Sequence, residues 1–297
     1  MRSSRAWSRE WVALSADLIP ADVRYRLKAL GLATRRAVGD RGIGAHASRS
    51  RGAGLEFAQY RAYERGDEPR QIDWKLYARS DRFFVREAER ESPVALWIML
   101  DASASMADRL PAARGVAACL AELALANGDR FGLLALRGDG LQRVAPASGT
   151  QARDRLQRML ATLEAGGGLP DEAMLAPLWE RIGARDLIVM LSDFFDDAAA
   201  ALATRLSDAG REVLAIEILT PAERDFPFVD GHVFRDPETG RELVGDGPAL
   251  RDAFLMRFGE ARAALHARFT AAGVACATLF TDQPVDTPLH VLFGRRA

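Results

Sequence analysis

Val94 to Leu100 is an unbroken apolar run of strand length, VALWIML, and Asp101-x-Ser103-x-Ser105 follows it without a spacer. A strand with no polar face is buried on both sides, the habit of central parallel strands covered by helices. This restricts the chain to an α/β architecture and puts the polar triplet at a carboxyl end, where open parallel sheets hold their ligands. One carboxylate and two hydroxyls on a tight turn offer hard oxygens that suit Mg²⁺, or Mn²⁺ or Ca²⁺ in its place. The same residue types also cap helices, because their side-chain oxygens accept from the first free N–H groups. The local pattern leaves both readings open.

A second apolar run, Leu187 to Leu191, ends in Ser192-Asp193, so two buried strands deliver an aspartate to the same edge. Around them the chain alternates. Pro111 to Gly128 is an apolar-faced helix with Pro in its first turn and Gly at its end. Arg130 to Leu136 and Leu141 to Ala145 form a hairpin across Arg137-Gly138-Asp139-Gly140, and the Arg-Gly-Asp tripeptide is a turn rather than an adhesive tag. Helices follow at Thr150 to Glu164, closed by Gly166-Gly167-Gly168, and at Asp171 to Ile182. Beyond the second apolar run come a helix at Asp197 to Ala209, a strand at Glu212 to Leu219 and a small hairpin within Val233 to Val244. The long helix Pro248 to Ala272, the strand Val274 to Phe280 and a short segment from Leu289 to Phe293 end the chain. The alternation predicts a doubly wound, mainly parallel sheet with helices on both faces.

Two segments precede that domain, over 1–53 and 54–92, with the α/β domain taking 93–297. Residues 1 to 52 hold eleven Arg or Lys against four acids, a local charge of +7, and include an amphipathic helix within 17–40 and a Gly/Arg/Ser-rich connector from Asp40 to Gly54. From Leu55 aromatic residues alternate with charges of both signs around a turn at Gly66-Asp67-Glu68-Pro69-Arg70. The acids there match the bases nearly one for one and would repel phosphates, so an ion-pair network or a protein-facing surface fits better than a nucleic-acid site.

Composition narrows the function. A net charge of -1 argues against a chain devoted to the nucleic-acid backbone. Cys119 and Cys276 have neither zinc spacing nor disulfide density, and read as core residues in a reducing compartment. No apolar run reaches the roughly 18 residues of a membrane span, so the expected location is cytoplasmic. There is no Gly-rich phosphate loop, no Gly-x-Ser-x-Gly elbow, and no pair at metal spacing among His46, His232, His266 and His290. A non-enzymatic role is therefore expected. The alternatives are an arginine-rich arm binding nucleic acid or a membrane surface, and a Mg²⁺-dependent hydrolase built on Asp101 and Asp193.

The order of these elements resembles the von Willebrand factor A domain with its metal-ion-dependent adhesion site. The segment before it sharpens the likeness. Glu56-Phe57, Arg61-x-Tyr63-x-x-Gly66-Asp67-x-x-Arg70-x-Ile72-Asp73-Trp74-Lys75 and Arg79, running into Asp101-x-Ser103-x-Ser105-Met106, resemble the bacterial family catalogued as domain of unknown function fifty-eight. The resemblance covers about residues 50–297. It implies a protein that works beside a MoxR-type AAA+ ATPase as a metal-binding adaptor in the maturation of an unknown client. It also implies a site in which Asp101 holds the ion through water, Ser103 and Ser105 ligate it and Asp193 completes the shell. The family's site further uses a threonine on the loop between the second and third helices. Here that loop is Gly166-Gly167-Gly168-Leu169-Pro170, without a threonine, which leaves Asp171, water or a partner's carboxylate to fill the position. Gly168, Asp171 and Ser192 are the further candidates for contact with the metal or a partner.

Overall fold

The computed structural model describes residues 18–28, 30, 57–63, 72–88, 95–184, 186–235, 240 and 242–294. The chain divides into two compact units, one formed by Met1–Asp40 with Val94–Ala297 and the other by Arg41–Pro93.

In the larger unit, strand β3 (Ala95–Asp101) is buried along its whole length, as the apolar run requires. It lies between β4 (Arg130–Arg137) and β6 (Leu187–Ser192) in a six-stranded sheet. With β5 (Gly140–Ala147), β7 (Glu212–Leu219) and β10 (Ala275–Phe280) the order is β10-β7-β6-β3-β4-β5. Every neighbouring pair is parallel except the β4–β5 hairpin, so the expected mainly parallel sheet is present. Side chains alternate across a strand. Accordingly Leu96, Ile98 and Leu100 enter one core, and Ala95, Trp97 and Met99 enter the other.

Helices cover both faces. The first core takes residues from α1 (Ala21–Leu27), α3 (Leu110–Asn127), α4 (Thr150–Thr162) and α9 (Thr287–Phe293). The second takes residues from α5 (Glu172–Arg181), α6 (Asp197–Asp208) and the long α8 (Gly247–Ala271). A short helix, α7 (Pro221–Asp225), follows β7, and β8 (Gly231–Arg235) pairs with β9 (Glu242–Asp246) as an antiparallel hairpin. Among the described residues no helix is long and apolar enough to cross a membrane.

The basic helix expected within 17–40 is described over Ala21–Leu27 only, and it is no free arm. Ile19, Val23 and Leu27 are buried in the first core. Arg26 donates through two nitrogens to the buried carboxylate of Asp286, at 2.6 and 2.8 Å. These bonds hold the Asp286 carboxyl below the usual carboxylate range.

In the smaller unit, β1 (Phe57–Ala62) and β2 (Phe84–Ala88) are antiparallel, and α2 (Trp74–Ser80) lies between them in the chain. Asp73 starts α2 by accepting from the N–H groups of Lys75 at 2.9 Å and Leu76 at 3.0 Å. The rings of Tyr77 and Phe83 stack at 4.5 Å, while Trp74, Lys75 and Arg79 are exposed.

Candidate metal centre at the carboxyl edge of the sheet

The chain leaves β3 toward β4 and β5, then crosses back to place β6 on the other side of β3. Successive connections thus diverge at the carboxyl ends of β3 and β6, the switch point at which open parallel sheets hold their ligands. Asp101 ends β3, and Ser192 ends β6, one residue beyond the paired Leu100 and Leu191. The two termini are joined directly. Ser192 Oγ donates to Asp101 Oδ2 at 2.6 Å, and the Ser103 N–H donates to Asp101 Oδ1 at 2.9 Å. Ser103 Oγ and Ser105 Oγ lie 3.1 Å apart on the following turn.

These bonds and the helix starts beside them bear on the capping reading of the triplet. Ser103 precedes the 3-10 turn Ala104–Met106 and Arg109 precedes α3, and neither position has a side-chain cap. Asp101 and the serines therefore organise their own turn and do not cap the next helix.

Asp193 arrives from the other strand. Phe194 adopts the left-handed conformation, with φ of 54°, and its N–H donates to Ser192 Oγ at 3.0 Å. The Phe195 N–H donates to Asp193 Oδ1 at 3.1 Å. Asp193 Oδ2 is buried and accepts no hydrogen bond; the Arg109 guanidinium stands 3.5 Å away. Asp101, Ser103 and Asp193 each keep 2% of their surface exposed. Burial pushes the Asp101 carboxyl up, and the charge of Asp193 adds to that, against the hydrogen bonds from Ser192 and Ser103.

The Gly166–Gly168 loop reaches this turn through backbone alone. The Gly166 N–H donates to the Ala102 carbonyl at 2.9 Å, and the Ala104 N–H to the Gly167 carbonyl at 2.7 Å. A Cβ on Gly138, in the hairpin turn, would sit 3.0 Å from the Gly168 nitrogen, so glycine is what lets the two turns approach. Asp171 is exposed at the start of α5 and makes no side-chain cap there.

One member of the edge carries no signal in the sequence. Arg109 is 7% exposed, and its guanidinium donates to the Ser105 carbonyl and to the Glu223 carboxylate while lying 5.1 Å from the Phe195 ring centre. Glu223 is itself fixed by the Thr220 N–H at 2.7 Å, in the capping box of α7. Arg109 thus links the loops after β3, β6 and β7. No periodicity or spacing in Ala107-Asp108-Arg109-Leu110 announces it.

The residues present fit a hard cation. Two carboxylates and two hydroxyls come from adjoining loops, and a buried carboxylate oxygen has no hydrogen-bond donor. Among the described residues no group of three or more His, Cys, Asp or Glu could hold a metal, so an ion here would rest on hydroxyl oxygens as well as carboxylates.

Residues 59–264 match the family described as protein of unknown function DUF58. The chain belongs to this DUF58 family. The DUF58 protein is 29% identical over 281 residues to uncharacterized proteins of Mycobacterium bovis and Mycobacterium tuberculosis, covering 91% of this chain and 88% of each relative. Among solved structures it is similar to the conserved hypothetical protein BatB from Bacteroides thetaiotaomicron, with 15% identity, coverage of 61% of this chain and 98% of that one, and a TM-score of 0.35. It is also similar to an aerotolerance-related membrane protein from Bacteroides fragilis, with 17% identity, coverage of 65% and 98%, and a TM-score of 0.37.

The DUF58 motif ahead of the sheet is described in part. Phe57 and Arg61 lie on β1, opposite Ala88 and Val85. Asp73, Trp74, Lys75 and Arg79 start and line α2. Glu56, Gly66, Asp67 and Arg70 lie outside the described residues.

Proposed function

We propose that this DUF58 protein is a non-enzymatic adaptor: a von Willebrand factor A-like platform whose carboxyl edge holds Mg²⁺ and uses it to engage an acidic group of a protein partner. The observation that carries the reading is the buried Asp193 Oδ2, which accepts no hydrogen bond and lies on the turn directly after β6, the strand that pairs with β3. Asp101, Ser103, Ser105 and Asp193 would hold the ion. A bound divalent cation supplies a bridging charge with coordination positions left for oxygen from outside. Four protein oxygens are fewer than the six or more that a hard cation takes, which leaves positions for a partner's oxygen and favours a bridge over a sealed structural site. The missing threonine oxygen on the Gly166–Gly168 loop fits a shell that a partner completes.

The partner in this reading is a MoxR-type AAA+ ATPase, with the client as the third component. The basic-arm alternative gains little from α1, where Arg26 pairs with Asp22 and Asp286, and Arg24 lies 3.7 Å from Glu122. The test is co-elution of the full chain with its candidate ATPase in Mg²⁺ and in EDTA, beside Asp193→Ala. The adaptor reading predicts a complex in Mg²⁺ that is lost in EDTA and in the variant. A complex indifferent to both contradicts it.

A further inference from the structure

Asp193 Oδ2 lacks a hydrogen bond, yet it does not lack a cation. The Arg109 guanidinium stands 3.5 Å from it, on the carboxylate that the metal reading assigns to the ion. Charge in this place matters, because exclusion of water strengthens its interaction with anything else that arrives. Arg109 is also not at rest among ideal partners: its Nε is buried without a hydrogen-bond acceptor. Its other contacts are the Ser105 carbonyl, the Glu223 carboxylate and the face of Phe195, a ring that is 52% exposed.

We infer that Arg109 is a built-in competitor of the divalent cation, an internal positive charge that pairs with Asp193 and sets how readily the edge accepts metal. The inference rests on the metal reading above and concerns its regulation. Two like charges cannot share Asp193 at close range without cost, so loading the edge requires Arg109 to fall back on Glu223. Glu223 can receive it. Its Oε1 already accepts from Arg109, while Oε2 is fixed by the Thr220 N–H at 2.7 Å. Retreat of Arg109 also removes the cation from the Phe195 ring. The state of the ion is thereby conveyed to an exposed aromatic at the rim and to the first turn of α7, both of them surfaces a partner can read.

The arrangement makes two substitutions act with opposite signs on one measurement. Arg109→Gln removes the competing charge and should tighten Mn²⁺ binding by about tenfold or more. Glu223→Gln removes the carboxylate to which Arg109 retreats, yet glutamine still completes a capping box. It should therefore weaken Mn²⁺ binding by a similar factor without unseating α7. The experiment is calorimetric titration of Mn²⁺ into the full-length protein and both variants, with thermal melts of each in EDTA to establish that they are folded. Tighter binding in the first and weaker in the second is the expected result. If Arg109→Gln does not fold, the Glu223→Gln result decides: weaker binding upholds the competitor and unchanged binding overturns it. Equal affinities in all folded forms overturn the competitor and leave the metal reading standing. No Mn²⁺ binding in any folded form overturns the metal reading, and the competitor with it.

Discussion

Asp101 keeps a carboxylate where little water reaches it, and that has a consequence for stability. Burial raises its pKa in the folded state, so between its ordinary value, about 3.9, and the raised one the folded chain binds more protons than the unfolded chain. Stability from this group is present in acid and falls as pH rises through that window. Asp101→Asn should therefore flatten the decline and leave the metal-free protein more stable than the parent at neutral pH. Urea melts across the window in EDTA check this; an unchanged slope would mean that Asp101 is not the group responsible. The residues of the edge were legible in unequal degree. Asp101, Ser103, Ser105 and Asp193 follow apolar strands directly, and where a buried strand ends its next polar residues can only be at the rim. Ser192 was legible for the same reason, although its bond to Asp101 was not. Arg109 was not legible, because its role arises from three loops that are distant in the chain.

At the scale of elements, strands and helices with a strong period fell within a residue or two of their expected limits. The short helices α2, α7 and α9 escaped, since a helix of a turn or two has no period to detect and is fixed by caps and packing instead. The cap residues Asp73 and Thr220 were the available signals. Element α8 shows why composition does not tell how an element is held. Only Gly247 and Phe269 are buried along its 25 residues. Much of its attachment is polar: Arg262 donates to the buried Glu217 of β7 at 3.0 Å, with Thr278 at 2.8 Å and His266 at 3.2 Å on the same carboxylate. Arg262→Met removes the guanidinium from this cluster and leaves Glu217 buried. We expect a loss of about 3 kcal/mol, the low end for a broken buried pair because Thr278 and His266 remain. Chemical denaturation measures it, and a change within about 0.5 kcal/mol would place the attachment of α8 in its apolar contacts.

For the whole molecule, the α/β class and the mainly parallel sheet could be read from the alternation of elements. The strand order could not, because it depends on which way each crossover turns. That order is what makes the candidate site: the reversal between β3 and β6 brings Asp101 and Ser192-Asp193 to one edge of the sheet from distant positions in the chain. The amino-terminal helix belongs to this body through Arg26 and Asp286, which no local pattern in a basic segment reveals. Both the adaptor role and the competition by Arg109 depend on this edge holding an ion. The most direct measurement is Mg²⁺ titration of the purified full chain by calorimetry, beside Asp193→Ala. Saturable binding that disappears in the folded variant is the predicted result. Binding that persists in the variant, or no binding by the intact chain, would contradict the metal edge.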